Sequence, residues 1–434
     1  MLENVANRFK LLLSEGSTLL EEILDNLKMV LNQVPDLSPE IEVDASLSHW
    51  LARDDFRNSI ITDEIVALLE IEVSKFKKHN CITRQQLFSD TPFYDKNKRP
   101  NFRFIDLFAG IGGFNLALTR NKGACVFSCE WDKAAKSTYF KNYGKLPFGD
   151  INQFTRETVS DDFIDANIPN HELLAAGFPC QPFSLAGVSA RVSRGIQHGF
   201  KCETQGTLFY SIARIAYVKQ PAIVLLENVK NLLSHEKGDT FKTIRETMEN
   251  LGDEEQGKQG YRFHFATVNS QTVVAQRRER LFMVCVRKDI DLGEFDFPQF
   301  EGEPIALRTV LDSLTAKELA TYTISDKLWE GHQRRTANNL ARNTGFVAYA
   351  ANLDKPSNTI VARYGKDGKE CLIPQDGGNP RTLSIEECGR LFGYPRNFIT
   401  AKAKTVSYKQ FGNSVVVPVV EKIGHNIVNH MGWK

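Results

Sequence analysis

FRFIDLFAGIGG, residues 102–113, joins a strongly apolar run to a cluster of glycines. The apolar run predicts a buried strand. The glycines predict a tight turn into a helix, because glycine tolerates a positive φ and a close approach of the backbone to a ligand. Apolar runs and helical patterns alternate from here to about residue 287, which predicts an α/β fold with a parallel sheet covered on both faces. Ligands bind such sheets at the carboxyl ends of the strands.

The predicted strands are short apolar runs, and they cover residues 102–108, 124–130, 171–178, 222–228 and 280–287. The predicted helices repeat apolar residues at intervals of three and four. They cover residues 18–31, 63–79, 115–121, 207–219, 240–252 and 384–393, and a final helix starts at about 414. Thr18 and Glu21 predict a capping box for the first helix, and Pro35 and Pro39 predict its end.

These patterns divide the chain into four expected segments. Residues 1–100 form a helical N-terminal extension, 101–287 an α/β domain, 288–380 a small irregular domain rich in Asn, Gly, Thr and Arg, and 381–434 a return to the α/β domain. The N-terminal extension is expected to pack on the α/β domain or to contact the substrate. A regulatory module or a partner-binding module is the alternative.

Composition excludes several classes of protein. No apolar run approaches the ~20 residues of a membrane span. The first residues lack a cleavage site for a signal peptide, so a cytoplasmic location is expected. The eight cysteines form no CxxC pair, which argues against a disulfide framework or a zinc site. The net charge of +1 is uninformative, but the basic segments 190–201 and 331–345 either meet phosphates or form solvated faces.

Polar residues follow the predicted strands. Glu130 ends the second strand, Trp131 follows it, and Asp150 is predicted to end another strand. A carboxylate can accept hydrogen bonds from both hydroxyls of a ribose. An indole can stack on a purine, and a second carboxylate can accept from an exocyclic amine. With the turn at Gly110, these residues favour a site for an adenosine-containing cofactor. The alternative is that the glycines only make the turn.

Cys180 lies in GFPCQPF, between two prolines and just after a predicted strand. A lone cysteine is usually a small core residue. The prolines fix the backbone on both sides and remove amide donors, which favours an aimed side chain instead. Because a thiolate is a good nucleophile, Cys180 is a candidate for covalent catalysis.

Glu227 closes the apolar run AIVLLE, so partial burial is expected to raise its pKa and make it a proton donor near neutral pH. The alternative is an acid at the N-terminus of a helix. Arg278 and Arg280, in QRRER, lie two apart and would face one side of a strand, as a fork for a base edge or a phosphate.

Taken in order, DLFAGIGG, GFPCQPF, ENV, QRRER, RTLSIEECGRLFGYP and QFGNSVVVPV resemble the motifs of bacterial DNA (cytosine-5)-methyltransferases. The resemblance covers residues 102–286 and 381–425, and the text around Cys180 is especially similar to the Dcm and EcoRII-like branch. It implies a Rossmann-like, mostly parallel sheet of the class I S-adenosylmethionine-dependent type. One departure is Ala275, where the family usually has proline before the glutamine of QxRxR.

The resemblance implies S-adenosylmethionine as the cofactor. Phe108, Gly110, Ile111 and Gly113 would line its methionine end, and Glu130 would bind the ribose. Trp131 and Asp150 would hold the adenine. The remaining expected cofactor residues are Ile151, Leu208, Asn413 and Ser414.

It also implies a reaction on a flipped-out cytosine. Cys180 would attack carbon 6, Glu227 would contact N3 and the exocyclic amine, Arg280 would hold O2, and Arg278 would support the site. The basic segment 190–201 resembles a loop that closes over the base, and its expected DNA contacts are Arg191, Arg194 and Lys201.

Residues 288–380 fall where the family keeps its target recognition region. The candidate DNA contacts there are Arg334, Arg335, Arg342, Arg363 and Lys366. The implied partner is double-stranded DNA, with a cognate restriction endonuclease linked in function, no metal, a monomeric state and a bacterial, nucleoid-associated location. The alternatives are an RNA cytosine-5 methyltransferase of similar architecture and a catalytically silent DNA-binding protein.

Overall fold

The structure is a computed structural model of the chain. It describes residues 18–34, 41–95, 99–179, 208–290, 292–343, 345, 347–348 and 350–433. The predicted nucleophile Cys180 and the predicted DNA contacts Arg191, Arg194 and Lys201 lie outside the described residues.

The strands are β1 Phe102–Leu107, β2 Gly123–Cys129, β3 Leu173–Gly177, β4 Ile223–Val229, β5 Tyr261–Asn269 and β6 Glu279–Arg287. The helices of the first half are α1 Leu19–Leu31, α2 Val43–Ala52, α3 Asp63–Asn80, α4 Gly113–Arg120, α5 Lys133–Tyr143, α6 Asn152–Thr155, α7 Asp161–Asn167 and α8 Leu208–Lys219. Those of the second half are α9 Asp239–Glu249, α10 Ala316–Tyr322, α11 Asp326–Ala341, α12 Tyr364–Asp367, α13 Ile385–Leu391, α14 Lys404–Gly412 and α15 Val417–Met431.

The strands of the described ranges form one six-stranded sheet in the order β2-β1-β3-β4-β6-β5. The first four strands in that order are parallel, and β6 runs antiparallel to both β4 and β5. The mostly parallel α/β fold is therefore confirmed. The chain moves outward from β1 to β2 and then returns to the other side of β1 at β3, so a crevice opens at the carboxyl ends of these strands.

Several local predictions were wrong. Asp150 does not end a strand, because Phe148 makes only an isolated bridge to Cys129. Arg278 and Arg280 do not share one side of a strand, because β6 begins at Glu279 and Arg278 precedes it. The edge strand β5 was missed, although Tyr261, Phe263 and Phe265 alternate with polar residues.

The predicted beginning of one helix shifts. The capping box of Thr18 and Glu21 is present, and α1 ends at Leu31, where its apolar pattern was predicted to end. The final helix begins at Val417 rather than near 414. Helix boundaries depend on caps and tertiary contacts, so an error of a few residues is expected from pattern alone.

Two apolar clusters cover the sheet. In one, Trp50 of α2 and Ile65 of α3 share a core with Phe127 of β2 and Leu174 of β3. In the other, residues of α4, α14 and α15 pack against β1 and the opposite side of the sheet. The N-terminal helices thus extend the main core rather than forming a core of their own. Across the described ranges, every helix is too short or too polar to span a bilayer.

The segment after β6 differs from the expected irregular chain because it contains α10 and α11. Thr315 makes a capping box with Glu318, and the Ser325 hydroxyl accepts from the N–H of Leu328. The sequence pattern did not predict these helices, because they have no apolar stripe: α10 buries no residue and α11 buries only His332. Capping alone marks their beginnings.

Candidate active site

The turn between β1 and α4 has the backbone that its glycines predict. Phe108 and Gly110 both have a φ of 56°, and Gly112 has a φ of 83°. A Cβ on Gly112 would meet the ring of Tyr143 at 2.3 Å, whereas one on Gly110 would meet nothing within 4 Å. Packing therefore requires glycine at 112, while the space beside Gly110 is open. Ile111 is buried under the turn.

Glu130 stands directly beside this turn. Its Oε2 accepts from the N–H of Gly110 at 2.8 Å, and its Oε1 accepts from the N–H of Asp132 at 2.8 Å. Burial raises the pKa of the Glu130 carboxyl, and these two hydrogen bonds oppose that rise. The carboxylate is thus fixed by backbone donors and keeps lone pairs for further donors.

The residues next to Glu130 present an aromatic face and a second carboxylate. Trp131 is 79% exposed, which is unusual for an indole. Asp150 is exposed and accepts from the N–H and the side-chain amide of Asn152, each at 3.0 Å. Ile151 is buried beside it. The bridge between Cys129 and Phe148 brings this loop to the end of β2.

The C-terminal segment closes the same turn from the other side. Ser414 is buried, its hydroxyl lies 2.7 Å from the hydroxyl of Tyr394, and a Cβ on Gly113 would lie 3.0 Å from that Ser414 hydroxyl. Asn413 is exposed. Leu208 is half-buried at the start of α8. The fold thus joins residues 113 and 414, which are far apart in the sequence.

A second group of residues occupies the ends of β3 and β4. Gly177 pairs with Glu227 across these strands, and a Cβ on Gly177 would lie 3.4 Å from Glu227 Oε2. The amide of Asn228 donates to the carbonyl oxygen of Phe178 at 3.0 Å. The segment that leads into Cys180 is therefore fixed beside the Glu227 carboxylate.

Arg280 is the partner of that carboxylate. Its Nε lies 3.1 Å from Glu227 Oε1, because antiparallel pairing places the start of β6 opposite the end of β4. Glu227 is 9% exposed. Burial raises its pKa, while the positive charges of Arg280 and Arg278 oppose the rise. The result is a desolvated carboxyl group held in one orientation by a guanidinium.

Arg278 has different partners. It is buried and donates to the carbonyl oxygens of Ile360, Gly412 and Ser414 at 2.9, 3.1 and 2.9 Å. Burial, followed by the charge of Arg280, lowers the pKa of Arg278 to about 9. The two arginines therefore do not form the single fork that their spacing suggested. Arg278 instead ties two loops of the C-terminal half together.

Another set of basic residues lies on α11 and α12. The residues Ser325, Lys327, Leu328, Gly331, Arg334 and Arg335 line an open cleft of about 360 Å³. Arg335 donates to Nδ1 of His332 at 3.1 Å, since arginine has no acceptor. The Nε2 of His332 then donates to the carbonyl oxygen of Asp367 at 2.9 Å. This buried histidine connects the two helices.

The other candidate DNA contacts are close to those helices in the sequence. Arg342 is the C-terminal cap of α11 and Arg363 is the N-terminal cap of α12. Arg342, Arg363 and Lys366 are exposed. Among the described residues, no three of His, Cys, Asp or Glu are grouped as ligands for a metal ion.

Two positioning residues were missed from the sequence. Asn228 holds the chain before Cys180, and Tyr394 holds Ser414. Asn228 could have been noticed, because a short polar side chain directly after a buried strand is a candidate for a local backbone contact. Nothing in the sequence around Tyr394 indicates its partner.

Comparisons with known proteins identify the family of this chain. The family model for C-5 cytosine-specific DNA methylase matches residues 102–429. The type II methyltransferase M.SsoII of Shigella sonnei is 42% identical over 348 residues, which are 79% of this chain and 84% of that protein. The DNA-cytosine methyltransferase of Escherichia coli K12 is 38% identical over 363 residues, 73% of this chain and 75% of that protein.

A solved structure supports the fold alone. The crystal structure of S. pombe Dnmt2 methyltransferase superposes with a TM-score of 0.56 and 18% identity, over 76% of this chain and 98% of that one. The family match spans all six strands and both groups of polar residues at their ends. The chain therefore belongs to the C-5 cytosine-specific DNA methylase family.

Proposed function

We propose that this protein transfers a methyl group from S-adenosylmethionine to carbon 5 of a cytosine in double-stranded DNA. The observation that carries the proposal is the buried pair of Glu227 and Arg280, 3.1 Å apart, beside the fixed segment that leads into Cys180. Family membership and relatives that are named as DNA-cytosine or type II methyltransferases support the same activity.

The residues around the glycine turn fit the cofactor. Glu130 offers lone pairs to ribose hydroxyls, Trp131 offers an exposed indole to the adenine, and the space beside Gly110 is open for the methionine end. The remaining proposed contacts are Phe108, Ile111, Gly113, Asp150, Ile151, Leu208, Asn413 and Ser414. When bound, the cofactor supplies an electrophilic methyl group on its sulfonium.

Cys180 would supply the electrons that carbon 5 lacks. Its thiolate forms a bond to carbon 6, and the electron pair of the carbon 5–carbon 6 double bond becomes available at carbon 5. Carbon 5 would then form a bond to the methyl group as the bond from that methyl to the sulfonium breaks, which leaves a neutral thioether. Loss of the proton from carbon 5 to water restores the double bond, and the carbon 6–sulfur bond breaks to release the thiolate.

Glu227 and Arg280 would hold the ring during these steps. A carboxyl group with a raised pKa can share a proton with N3 and accept from the exocyclic amine, which favours electron flow into the ring. Arg280 can donate to O2 of the base while it keeps Glu227 in place. Arg278 supports the site through its bonds to the backbone of 360 and 412–414.

The cytosine must leave the helix to reach this pocket, at a cost of a few kcal/mol of unstacking. Segment 190–201, with Arg191, Arg194 and Lys201, would close over the flipped base. Residues 288–380 would recognise the target, with Arg334, Arg335, Arg342, Arg363 and Lys366 on DNA bases or phosphates. The protein would act as a cytoplasmic monomer that protects DNA from a cognate endonuclease.

Bisulfite sequencing of host DNA that expresses the protein tests the activity and gives the target sequence at the same time. We expect methylated cytosines at one short sequence. Unmodified DNA together with modified RNA would favour an RNA methyltransferase. A host in which neither is modified would favour a silent DNA-binding protein.

Substitution of the nucleophile tests the mechanism. Cys180→Ser should abolish methyl transfer while the variant still binds DNA and S-adenosylhomocysteine. Cys81→Ser, which changes an exposed cysteine, is the matched control and should keep full activity. DNA with 5-fluorocytosine at the target should trap a covalent complex at Cys180. Normal turnover by the serine variant, or an adduct on another residue, would refute this mechanism.

A further inference from the structure

The loop of residues 146–150, which ends in Asp150, is attached to β2 on one side. The N–H of Phe148 donates to Ser128 O, and the N–H of Glu130 donates to Phe148 O, both at 2.8 Å. The thiol of Cys129 donates to Gly149 O at 2.8 Å. These bonds connect the loop to the strand that leads into Glu130, but they contact only one edge of the loop.

The N-terminal segment holds the other side of this loop. The hydroxyl of Ser48 accepts from the N–H of Leu146 at 2.8 Å, and the ring of His49 lies 5.2 Å from the ring of Phe148. The carboxylate of Glu42 lies against the backbone of Gly149, since a Cβ added to this glycine would lie 2.2 Å from Glu42 Oε1. A side chain at position 149 would therefore displace the Glu42 carboxylate.

Glu42 also binds the helix that follows Trp131. The Nζ of Lys136, on α5, lies 2.6 Å from Glu42 Oε2, and the Lys136 side chain is only 13% exposed. One carboxylate therefore contacts both the loop before Asp150 and the helix after Glu130 and Trp131. Removing it would leave a largely desolvated ammonium without this partner.

We infer that Glu42, assisted by Ser48, is a positioning residue for the adenine side of the cofactor site. This inference rests on the proposed function. Both residues belong to the N-terminal segment and lie outside the 102–429 match to the family model. Their action is indirect, because they hold the backbone that presents Asp150 and do not themselves line the pocket.

If Glu42 had a purely structural role, its replacement would lower the stability of the fold rather than the cofactor affinity. The residues of α2 that build the core are apolar ones such as Leu47, Trp50 and Leu51. Glu42 is half-exposed, precedes α2 and makes no capping hydrogen bond from its side chain. Its replacement should therefore change cofactor affinity more than the stability of the fold.

Asp44 provides a matched control. It lies two residues away, in the first turn of α2, and forms an ion pair with Lys28 at 2.7 Å, but that pair stays within the N-terminal segment and is about half exposed. Glu42→Ala and Asp44→Ala thus each remove one carboxylate and one ion pair. Only the first of these pairs reaches the cofactor side.

The test measures binding of S-adenosylhomocysteine to the full-length variants by isothermal titration calorimetry. We expect Glu42→Ala to raise the Kd about fivefold or more, Ser48→Ala to raise it less, and Asp44→Ala to leave it unchanged. Lys136→Ala should weaken binding similarly, and the Glu42→Ala/Lys136→Ala double variant should bind like either single one. The kcat at saturating cofactor should stay close to that of Asp44→Ala.

Wild-type affinity in Glu42→Ala, or an equal loss in Asp44→Ala, would overturn the inference and leave the proposed function intact. A wild-type chain that binds no S-adenosylhomocysteine would overturn both. The two failures are therefore distinguishable in the same titrations.

Discussion

Glu130 and Glu227 are two carboxylates in matching positions with different surroundings. Each lies at the carboxyl end of a buried parallel strand, and burial raises the pKa of each. Glu130 is held by two backbone N–H donors, whereas Glu227 faces the guanidinium of Arg280. The difference indicates separate tasks: Glu130 is an acceptor fixed for hydroxyl groups, and Glu227 belongs to a charged pair that can respond to charge developing on a base.

The largest effect should come from Glu227→Gln. Loss of the ionisable group should reduce kcat by about a thousandfold, the range typical of a residue that moves or shares a proton. Its Kd for S-adenosylhomocysteine should stay unchanged, since Glu227 is outside the glycine turn. Radiolabelled methyl transfer under saturating DNA and cofactor measures the first quantity, and calorimetry measures the second. A kcat within threefold of wild type would remove the proposed distinction.

An intermediate effect is expected for Glu130→Ala. The variant should bind S-adenosylhomocysteine about tenfold more weakly or worse, because a charged acceptor for two hydroxyls is lost. With enough cofactor its kcat should fall far less than that of Glu227→Gln. Glu227→Gln is thus the control for Glu130→Ala, and the reverse also holds. If both variants lost affinity and turnover alike, the two carboxylates would have one shared task.

The smallest effect concerns stability and pH. A buried carboxyl whose folded pKa is raised is favoured when protonated, so its contribution to stability is present below the ordinary pKa of 4.5 and is lost as pH rises through the raised value. The glutamine of the Glu130→Gln variant cannot ionise, so the variant does not lose this contribution as the pH rises. The free energy of unfolding of the variant minus that of wild type should therefore increase from pH 4.5 upward and then level off.

Urea unfolding of both proteins at a series of pH values between 4 and 8 measures this difference. A relative stability that falls with pH would mean that the backbone donors outweigh burial at Glu130. For Glu227→Gln the gain should be smaller, because Arg280 would lose its charged partner.

The four parallel strands of the sheet could be predicted from the sequence. Runs such as FRFIDLF and AIVLLE are largely apolar on both faces, which is typical of strands that helices cover on both sides. Glu130 and Glu227 were located because each one ends such a run. The turn at Gly110 was found because few other residues adopt its φ.

The predictions that failed concern features that depend on contacts between residues far apart in the sequence. A period of two gives a strand its faces but not its direction, so the antiparallel β6 and the approach of Arg280 to Glu227 were not predictable. Helix α11 has no apolar stripe to detect. The partner of Ser414 and the three carbonyls that bind Arg278 follow from how the C-terminal segment folds back.

The core that α2 and α3 share with β2 has a consequence for how this protein can be divided. The family match begins at Phe102, but Phe127 and Phe148 on the far side of that boundary pack against His49, and Phe148 packs against Phe56. A gene fragment cut at the boundary would expose this aromatic surface to water and yield an aggregation-prone product. Fusions, truncated expression clones and domain swaps among relatives should therefore retain residues 41–95, since the family match and the folding unit begin at different residues here.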